Sequence, residues 1–368
     1  MTAGGEGRAG RGRRRIYCET LSMEEVAGAR VLDLLRGFDL ELVMAVRPGE
    51  GPGLARLLDR AKQAGVRVAI WPMVADPHGR WASASNAARF CAFAEDLVNE
   101  LEARGLAPAE LFVDLEPPFG DVRDLLDSPG AIDAAPAKDA HPRGAPGRAI
   151  GALHLLRRAA RSLAGPSQTF ARFAEAQAAR GLEISAAVVP LVLFDPAPRG
   201  LFADPFAFYQ ALLGTPADGR LWGPVSAMLY TSMIAGLSRG LFRRPDALAL
   251  LSTGARAARA RWGDRAGVSL GVVGTGALGD EPVYRDPSEL AEDVNAALAA
   301  GVRHLSLFDL GGVLRRPPAD RWLSAFTVDR PSEVPVGTPR AALAVGSAWL
   351  VGRAIGALTA PIRARGPW

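Results

Sequence analysis

Residues 111–118, Leu-Phe-Val-Asp-Leu-Glu-Pro-Pro, form the stretch around which the chain is organised. The stretch is an apolar run that ends in two carboxylates and is stopped by a pair of prolines. Side chains alternate between the faces of a strand, so Phe112, Asp114 and Glu116 share one face. The two acids would lie roughly 7 Å apart along that face, and burying both is costly unless they are used. The stretch therefore predicts a buried strand that ends in a functional site.

The same pattern, an apolar run followed by a helical segment, recurs along the chain on both sides of this strand. Near-continuous apolar runs indicate a parallel sheet that is covered by helices. Eight such units favour closure into a barrel over an open sheet, and no G-x-G-x-x-G motif follows the first run. We predict an α/β fold, a (β/α)8 TIM barrel over residues 15–327. Its expected strands cover residues 15–19, 40–46, 66–74, 111–116, 184–194, 225–233, 268–275 and 304–310.

The segments outside the barrel differ in composition. Residues 1–14 are Gly, Ala and Arg without periodicity, which predicts a disordered basic tail. Residues 328–340 are rich in proline and are expected to form a linker. Residues 341–362 are apolar apart from Arg353 and predict a C-terminal apolar helix.

The C-terminal helix has two interpretations. It is long enough to cross a bilayer, which would make the protein membrane-associated. A central Arg353 costs ~2.5 kcal/mol or more in a spanning helix, so the helix could instead dock on the barrel. The docked face would then contain Leu343, Trp349, Leu350 and Leu358.

Composition excludes several classes of protein. The 368 residues are 49% apolar and 22% charged, as in ordinary globular proteins. The net charge of +4 comes from arginines crowded near the N-terminus, and no basic stripe is interleaved with aromatic residues, so we expect no nucleic-acid partner. Two cysteines and four histidines predict no disulfide framework, no metal site and no cofactor. No secretory signal is visible, which favours a cytoplasmic location.

Candidate site residues stand at the carboxyl ends of the expected strands, where barrels of this type place their sites. Aromatic rings stack on the apolar faces of sugars, and a carboxylic acid can protonate a glycosidic oxygen. The strand ends therefore predict a carbohydrate substrate. Catalytic roles are expected for Glu116 and Asp114, and substrate contacts for Trp71, Glu19, Asp195, Phe308 and Asp309, while Tyr230 also stands at a strand end.

Several of these segments resemble glycoside hydrolase family 18, the chitinase-like barrels. Asp114-Leu115-Glu116 is similar to the end of that family's D-x-x-D-x-D-x-E motif, and Met228-Leu229-Tyr230 to the start of its M-x-Y-D motif. Residues 184–187 and 269–272 resemble weaker signals of the family, in the same order along the chain. The resemblance covers most of residues 15–315. A D-x-E on strand four also resembles the family 25 lysozymes.

The resemblance implies a specific chemistry. It makes Glu116 the general acid and then the base. It makes Asp114 the group that orients the substrate's acetamido group as that group attacks the anomeric carbon, with a hydrogen bond from Tyr230. It also implies that configuration is retained.

The chain departs from the family's motifs at four positions. The two earlier motif aspartates fall on Phe112 and Ala109, the aspartate of M-x-Y-D falls on Thr231, and Phe308 replaces the tryptophan of strand eight. The charge relay behind Asp114 is therefore absent. Two functions stay open, a glycoside hydrolase and a non-catalytic carbohydrate-binding barrel.

Overall fold

The computed structural model describes residues 12–121, 158, 160–195, 207–217, 221–238, 240–276, 279–329, 331 and 336–364. Eight parallel strands close into a barrel in chain order, and β1 pairs with β8. The predicted fold class is thus confirmed. The strands are β1 Arg14–Cys18, β2 Glu41–Val46, β3 Val68–Pro72, β4 Glu110–Leu115, β5 Glu183–Val188, β6 Val225–Met228, β7 Ala266–Gly271 and β8 His304–Phe308.

Helices surround the barrel and begin and end where local sequence dictates. Ser22 accepts a hydrogen bond from the Glu25 amide, and the Glu25 carboxylate accepts one from the Ser22 amide, so a capping box starts the first helix. The described helices are α1 Met23–Val26, α2 Ala29–Gly37, α3 Gly51–Ala64, α4 Ala87–Ala103, α5 Ala164–Ala179, α6 Phe208–Leu213, α7 Thr231–Leu237, α8 Arg244–Trp262, α9 Pro287–Ala299, α10 Leu310–Arg315, α11 Ala319–Phe326 and α12 Pro339–Ala364.

The core has two parts. The larger part lies between the strands and the helices and is built of aliphatic and aromatic side chains such as Leu42 and Phe90. The smaller part lies inside the barrel and is mainly aromatic, with Tyr17, Trp71 and Phe112 in mutual contact. The inner part therefore forms a layer of aromatic side chains beneath the carboxyl ends of the strands.

The amino-terminal end of the barrel is filled by charged side chains. Arg15 is 1% exposed, and its guanidinium donates to Glu110 at 2.6 Å and to the Ser185 hydroxyl at 3.0 Å. Arg13 also donates to Glu110. The expected boundary of the N-terminal tail at residue 14 is therefore too late, because Arg14 already opens β1. The part of that tail at 1–11 lies outside the described residues.

Several expected elements end earlier than their apolar runs. β5 stops at Val188, because Pro190 has no amide hydrogen, and a 3-10 helix follows over Pro190–Phe194. β6 stops at Met228, and α7 begins at Thr231. Most of the expected loop at 117–147 and of the expected helix at 149–163 lies outside the described residues.

The C-terminal helix α12 packs on the barrel along one face. The Tyr209 hydroxyl donates to the Ala348 carbonyl at 2.6 Å, and Thr338 donates to Asp246 at 2.6 Å just before the helix begins. The expected docked face is wrong, because Leu343, Trp349, Leu350 and Leu358 are 72%, 46%, 62% and 73% exposed. Ala348, Gly352 and Ile355 pack against the barrel instead.

Among the described residues, one helical stretch, Pro339–Thr359, is long and apolar enough to cross a bilayer. The stretch meets this description by length and composition alone, and 17% of its most apolar 18 residues are buried. The cytoplasmic or membrane-associated location stays a prediction. So does the linker at 328–340, of which residues 330 and 332–335 lie outside the described part of the chain.

Candidate active site

A cavity of about 240 Å³ opens at the carboxyl ends of the strands. It is lined by acids from several strands and loops and by aromatic, methionine and aliphatic side chains. Six of the eight residues expected from the sequence line it, namely Glu19, Trp71, Asp114, Glu116, Tyr230 and Phe308.

Backbone hydrogen bonds beyond β4 fix the two central acids. The Ala82 amide donates to the Asp114 carbonyl at 2.9 Å, and the Glu116 amide donates to the Ala82 carbonyl at 3.2 Å. Ala82 belongs to the loop after β3, which returns and forms a parallel bridge with Leu115. Pro117 then ends the run because it lacks an amide hydrogen. The chain is thereby held straight past the strand end, and Glu116 reaches the cavity from just beyond β4.

Asp114 and Glu116 are two residues apart on the inner face of the chain, and their buried carboxyls both line the cavity, close enough to influence each other's pKa. Burial and the nearby charge of Glu19 raise the pKa of Glu116 to about 8. Burial and the charge of Glu116 raise the pKa of Asp114 well above its usual range. The pair therefore retains at least one proton at neutral pH.

Glu19, at the end of β1, is the third acid of the cavity. The Arg80 guanidinium lies 3.3 Å from its carboxylate and that of Arg47 lies 3.5 Å away. Burial nevertheless raises the pKa of Glu19 to about 7, because it outweighs both arginines. Arg80 is itself fixed by two hydrogen bonds of 2.8 Å to Asp76. The cationic groups thus stand at the rim beside Glu19.

Aromatic rings form the floor of the cavity. The Tyr17 ring centroid lies 5.5 Å from that of Trp71 and 5.2 Å from that of Phe112. The centroids of Tyr230 and Phe308 are 6.0 Å apart. These rings offer apolar faces and exclude water, which strengthens the electrostatic interactions of the acids above them.

Two polar atoms of the floor lack partners. The Trp71 indole nitrogen and the Asp114 Oδ1 atom are buried and have no hydrogen-bond partner among the described residues. Native proteins satisfy most buried polar atoms, so each exception needs an explanation. One donor and one acceptor left open in the same cavity are suited to a polar ligand with hydroxyl or amide groups.

Tyr230 enters the cavity from the turn between β6 and α7. Burial raises the pKa of Tyr230 well above its usual value, so its hydroxyl stays protonated. The next residue, Thr231, donates to the buried carboxylate of Asp293, which also accepts from Tyr284 at 2.6 Å. Arg244 lies 2.7 Å from the same carboxylate. This network fixes the start of α7 and hence the position of Tyr230.

The structure places two expected site residues elsewhere. The Asp195 carboxylate accepts hydrogen bonds from the amides of Tyr209 and Gln210 at 2.8 and 2.9 Å, so it holds the start of α6. The Asp309 carboxylate accepts from the Gly312 amide at 2.8 Å and thereby caps α10. Neither residue lines the cavity. Short polar side chains at helix starts are commonly used in this way.

Sequence reasoning missed several residues that border the cavity, among them Tyr17, Trp81 and Glu281. Tyr17 lies two residues before Glu19, so strand alternation could have placed both on the inner face. Trp81 and Glu281 come from loops and line the cavity through the path of the backbone, for which the sequence gives no periodic signal. Among the described residues, no group of three His, Cys, Asp or Glu side chains could hold a metal ion.

Comparison with known proteins gives a likeness of fold. No protein-family model matches the chain, and no curated protein is similar to it in sequence. A GH5_18 protein from Streptomyces cattleya in complex with GlcNAc is 15% identical, with a TM-score of 0.50 over 95% of this chain and 92% of its own.

Two further solved structures are less similar. The PgaB (BpsB) glycoside hydrolase domain from Bordetella bronchiseptica is 14% identical, with a TM-score of 0.47 over 86% of this chain and 99% of its own. A D-allulose 3-epimerase from Methylomonas sp. is also 14% identical, with a TM-score of 0.38 over 81% of this chain and 83% of its own. At these identities the chemistry has to be argued from the site itself.

Proposed function

We propose that the protein is a glycoside hydrolase in which Glu116 is the general acid and base and Asp114 is its partner. The two carboxyls, buried side by side in an aromatic cavity at the carboxyl ends of the strands, are the observation that carries the proposal. A general acid must hold a proton at the working pH, and a pKa of about 8 for Glu116 meets that requirement.

The arrangement of the pair limits the mechanism. Glycosidases that use one carboxyl opposite another keep them at least ~5 Å apart, so that they flank the anomeric carbon. Asp114 and Glu116 are two residues apart on one face of the chain and both line the cavity, which places them on the same side of a bound sugar. Asp114 is then a poor candidate for the opposing nucleophile. Attack by the substrate's own acetamido group, as the resemblance to family 18 implies, fits this arrangement.

We therefore propose an N-acetylated glycan as substrate. The sugar ring would rest on the aromatic floor around Trp71, and its acetamido group would lie between Asp114 and the Tyr230 hydroxyl. Glu116 would donate its proton to the departing oxygen and then accept one from the incoming water. A cavity of about 240 Å³ is smaller than the ~300–1,000 Å³ of typical ligand pockets, which suits one sugar ring.

The test is hydrolysis of a panel of aryl glycosides that includes N-acetylglucosaminides. We expect Glu116→Gln to lower kcat/KM by about 100-fold or more, because the proton donor is removed while the shape is kept. Glu24→Gln is the matched control, since Glu24 is an exposed acid of α1, and we expect it to retain wild-type activity. Equal activity of wild type and Glu116→Gln would reject the assignment.

A second candidate is a carbohydrate-binding barrel without turnover. It is favoured by Phe112, which occupies the position of a family aspartate, is fully buried and packs on Tyr17 and Trp71. No carboxylate from that position can assist Asp114. This candidate predicts calorimetric binding of a glycan without product, and product that depends on the protein would exclude it.

A further inference from the structure

The C-terminal helix α12 is apolar around its circumference, but the barrel covers only one side of it. Its buried or half-buried positions include Ala341, Ala348, Gly352, Ile355 and Thr359, which recur at helical spacing. At Gly352 an added Cβ atom would lie 2.7 Å from the Tyr209 ring, so the helix approaches the barrel closely. The docked face thus runs from the first turn to residue 359.

The opposite side is apolar and uncovered. Leu343, Leu350 and Leu358, here called the outer face, follow each other at intervals of seven and eight residues and are 72%, 62% and 73% exposed. Trp349 and Val351 add exposed apolar surface beside them. A helix that is hydrophobic all round is normally buried all round, in protein or in lipid. The outer face therefore needs a covering that the barrel does not provide.

The charges of this region indicate what covers it. Residues 339–368 contain four arginines and neither Asp nor Glu. Arg340 is exposed beside the start of the helix, and the Arg353 guanidinium lies 4.6 Å from the centroid of the Trp349 ring. Tryptophan and arginine beside an apolar surface are typical of the boundary between lipid headgroups and acyl chains.

Two other coverings fit these observations less well. A two-fold dimer would place the outer face and the adjacent Arg353 against the same surface of the other copy, where like charges repel. A bilayer-spanning helix would have to leave the barrel and give up the contacts of Tyr209 with Ala348 and Gly352. The docked helix can meet lipid only while lying along the surface.

We propose that α12 is a membrane-surface helix. While docked on the barrel, it inserts Leu343, Leu350 and Leu358 into the headgroup region of a bilayer that contains anionic lipid. Arg353, beside Trp349, contacts the anionic headgroups. This binding is independent of glycoside hydrolysis, because none of these residues lines the cavity.

The test is flotation of the full-length protein with vesicles. We expect it to bind vesicles of phosphatidylcholine mixed with phosphatidylglycerol, to bind phosphatidylcholine alone more weakly, and to be released by salt or by alkaline carbonate. The triple variant Leu343→Ser, Leu350→Ser, Leu358→Ser should bind more than about 100-fold more weakly, because three leucines no longer enter the apolar layer.

The matched control is Leu241→Ser, which removes an exposed leucine of the barrel, 60% exposed, and should leave binding unchanged. Circular dichroism checks that each variant is folded. The proposal is overturned if wild type floats with neither vesicle, or if the triple variant binds as well as wild type. It is also overturned if carbonate fails to release the bound protein, or if light scattering shows a dimer that the triple variant abolishes.

Discussion

Strand β4 carries a buried acid at each end of its inner face, and the surroundings of the two acids differ. Glu110 at the amino-terminal end receives hydrogen bonds from Arg13, Arg15 and Ser185. Burial alone would raise the pKa of Glu110, but the charges of Arg15 and Arg13 more than offset it and the pKa is lowered. Asp114 at the other end has a raised pKa and one carboxylate oxygen without a partner among the described residues.

This difference separates stability from function within a single strand. At the amino-terminal end, both carboxylate oxygens of Glu110 are bound by arginines inside the fold. At the carboxyl end, arginines reach Glu19 at the rim, while burial raises the pKa values of Asp114 and Glu116. Barrels of this type place their chemistry at the carboxyl end and use the opposite end for stability. Substitutions at the two ends of β4 should therefore affect different properties, stability at the amino-terminal end and proton binding at the carboxyl end.

The largest effect is expected at the amino-terminal end. Glu110→Gln removes the negative charge that faces Arg15, which is 1% exposed. The other hydrogen-bond partners of the Arg15 side chain within the described part of the chain are serine hydroxyls. We expect a loss of about 3–5 kcal/mol in the free energy of unfolding, because a buried charge is left uncompensated. Urea denaturation followed by circular dichroism measures it.

The control for this prediction is Glu183→Gln. Glu183 pairs with Arg13 at 3.0 Å, but its side chain is 41% exposed, so we expect a change of less than about 1 kcal/mol. Glu110 would have no special structural role if the two variants lost the same stability.

The groups of charged residues at the two ends of β4 also differ in how far they could be predicted from the sequence alone. Alternation along β4 and the stop at Pro117 were enough to place Asp114 and Glu116 at one strand end. The same rule places Glu110 on the inner face, yet its partners Arg13 and Arg15 lie in a run of arginines that looks like a disordered tail. The pairing joins residues 95 positions apart or more, and local patterns carry no signal for such contacts.

Asp195 and Asp309 show the opposite limit. Both follow apolar runs and therefore look like residues of the mouth. Their carboxylates instead accept hydrogen bonds from helix amides. The helix that Asp195 binds begins 13 residues later, and the helix that Asp309 binds begins at the next residue. A position at a strand end therefore makes an acid a candidate site residue. Whether its carboxylate faces the cavity or binds the amides of a helix depends on where that helix begins.

The intermediate effect concerns the pH dependence of stability. The pKa of Glu116 is about 8 in the folded protein against 4.5 for an ordinary glutamate, so the folded state binds more protons between these values. The free energy of unfolding therefore decreases as pH rises from 4.5 through 8, by ~1–3 kcal/mol after allowance for screening. Glu116→Gln should flatten this decrease, as measured by urea denaturation at a series of pH values.

Glu24→Gln provides the reference curve, which should run parallel to that of wild type because Glu24 is exposed. The sign of the difference in stability between Glu116→Gln and wild type is the informative result. Stability of Glu116→Gln that equals or exceeds wild type at pH 8 supports a carboxyl kept at a stability cost. A steep decrease that persists unchanged in Glu116→Gln would show that other groups, such as Asp114 or Glu19, cause it.

The smallest effect is expected at the rim, where Arg80 is 3.3 Å from Glu19 and lowers the pKa values of Glu19 and Glu116. Arg80→Gln should raise both values by a few tenths to about one unit, since one partly screened charge is removed. Carbon-13 NMR titration of labelled carboxyls measures this without a substrate. Arg36→Gln, which removes an exposed pair with Asp33, should shift neither value. Unchanged titration in Arg80→Gln would mean that burial alone sets these pKa values, and the contrast between the two ends of β4 would then depend on Arg13 and Arg15 only.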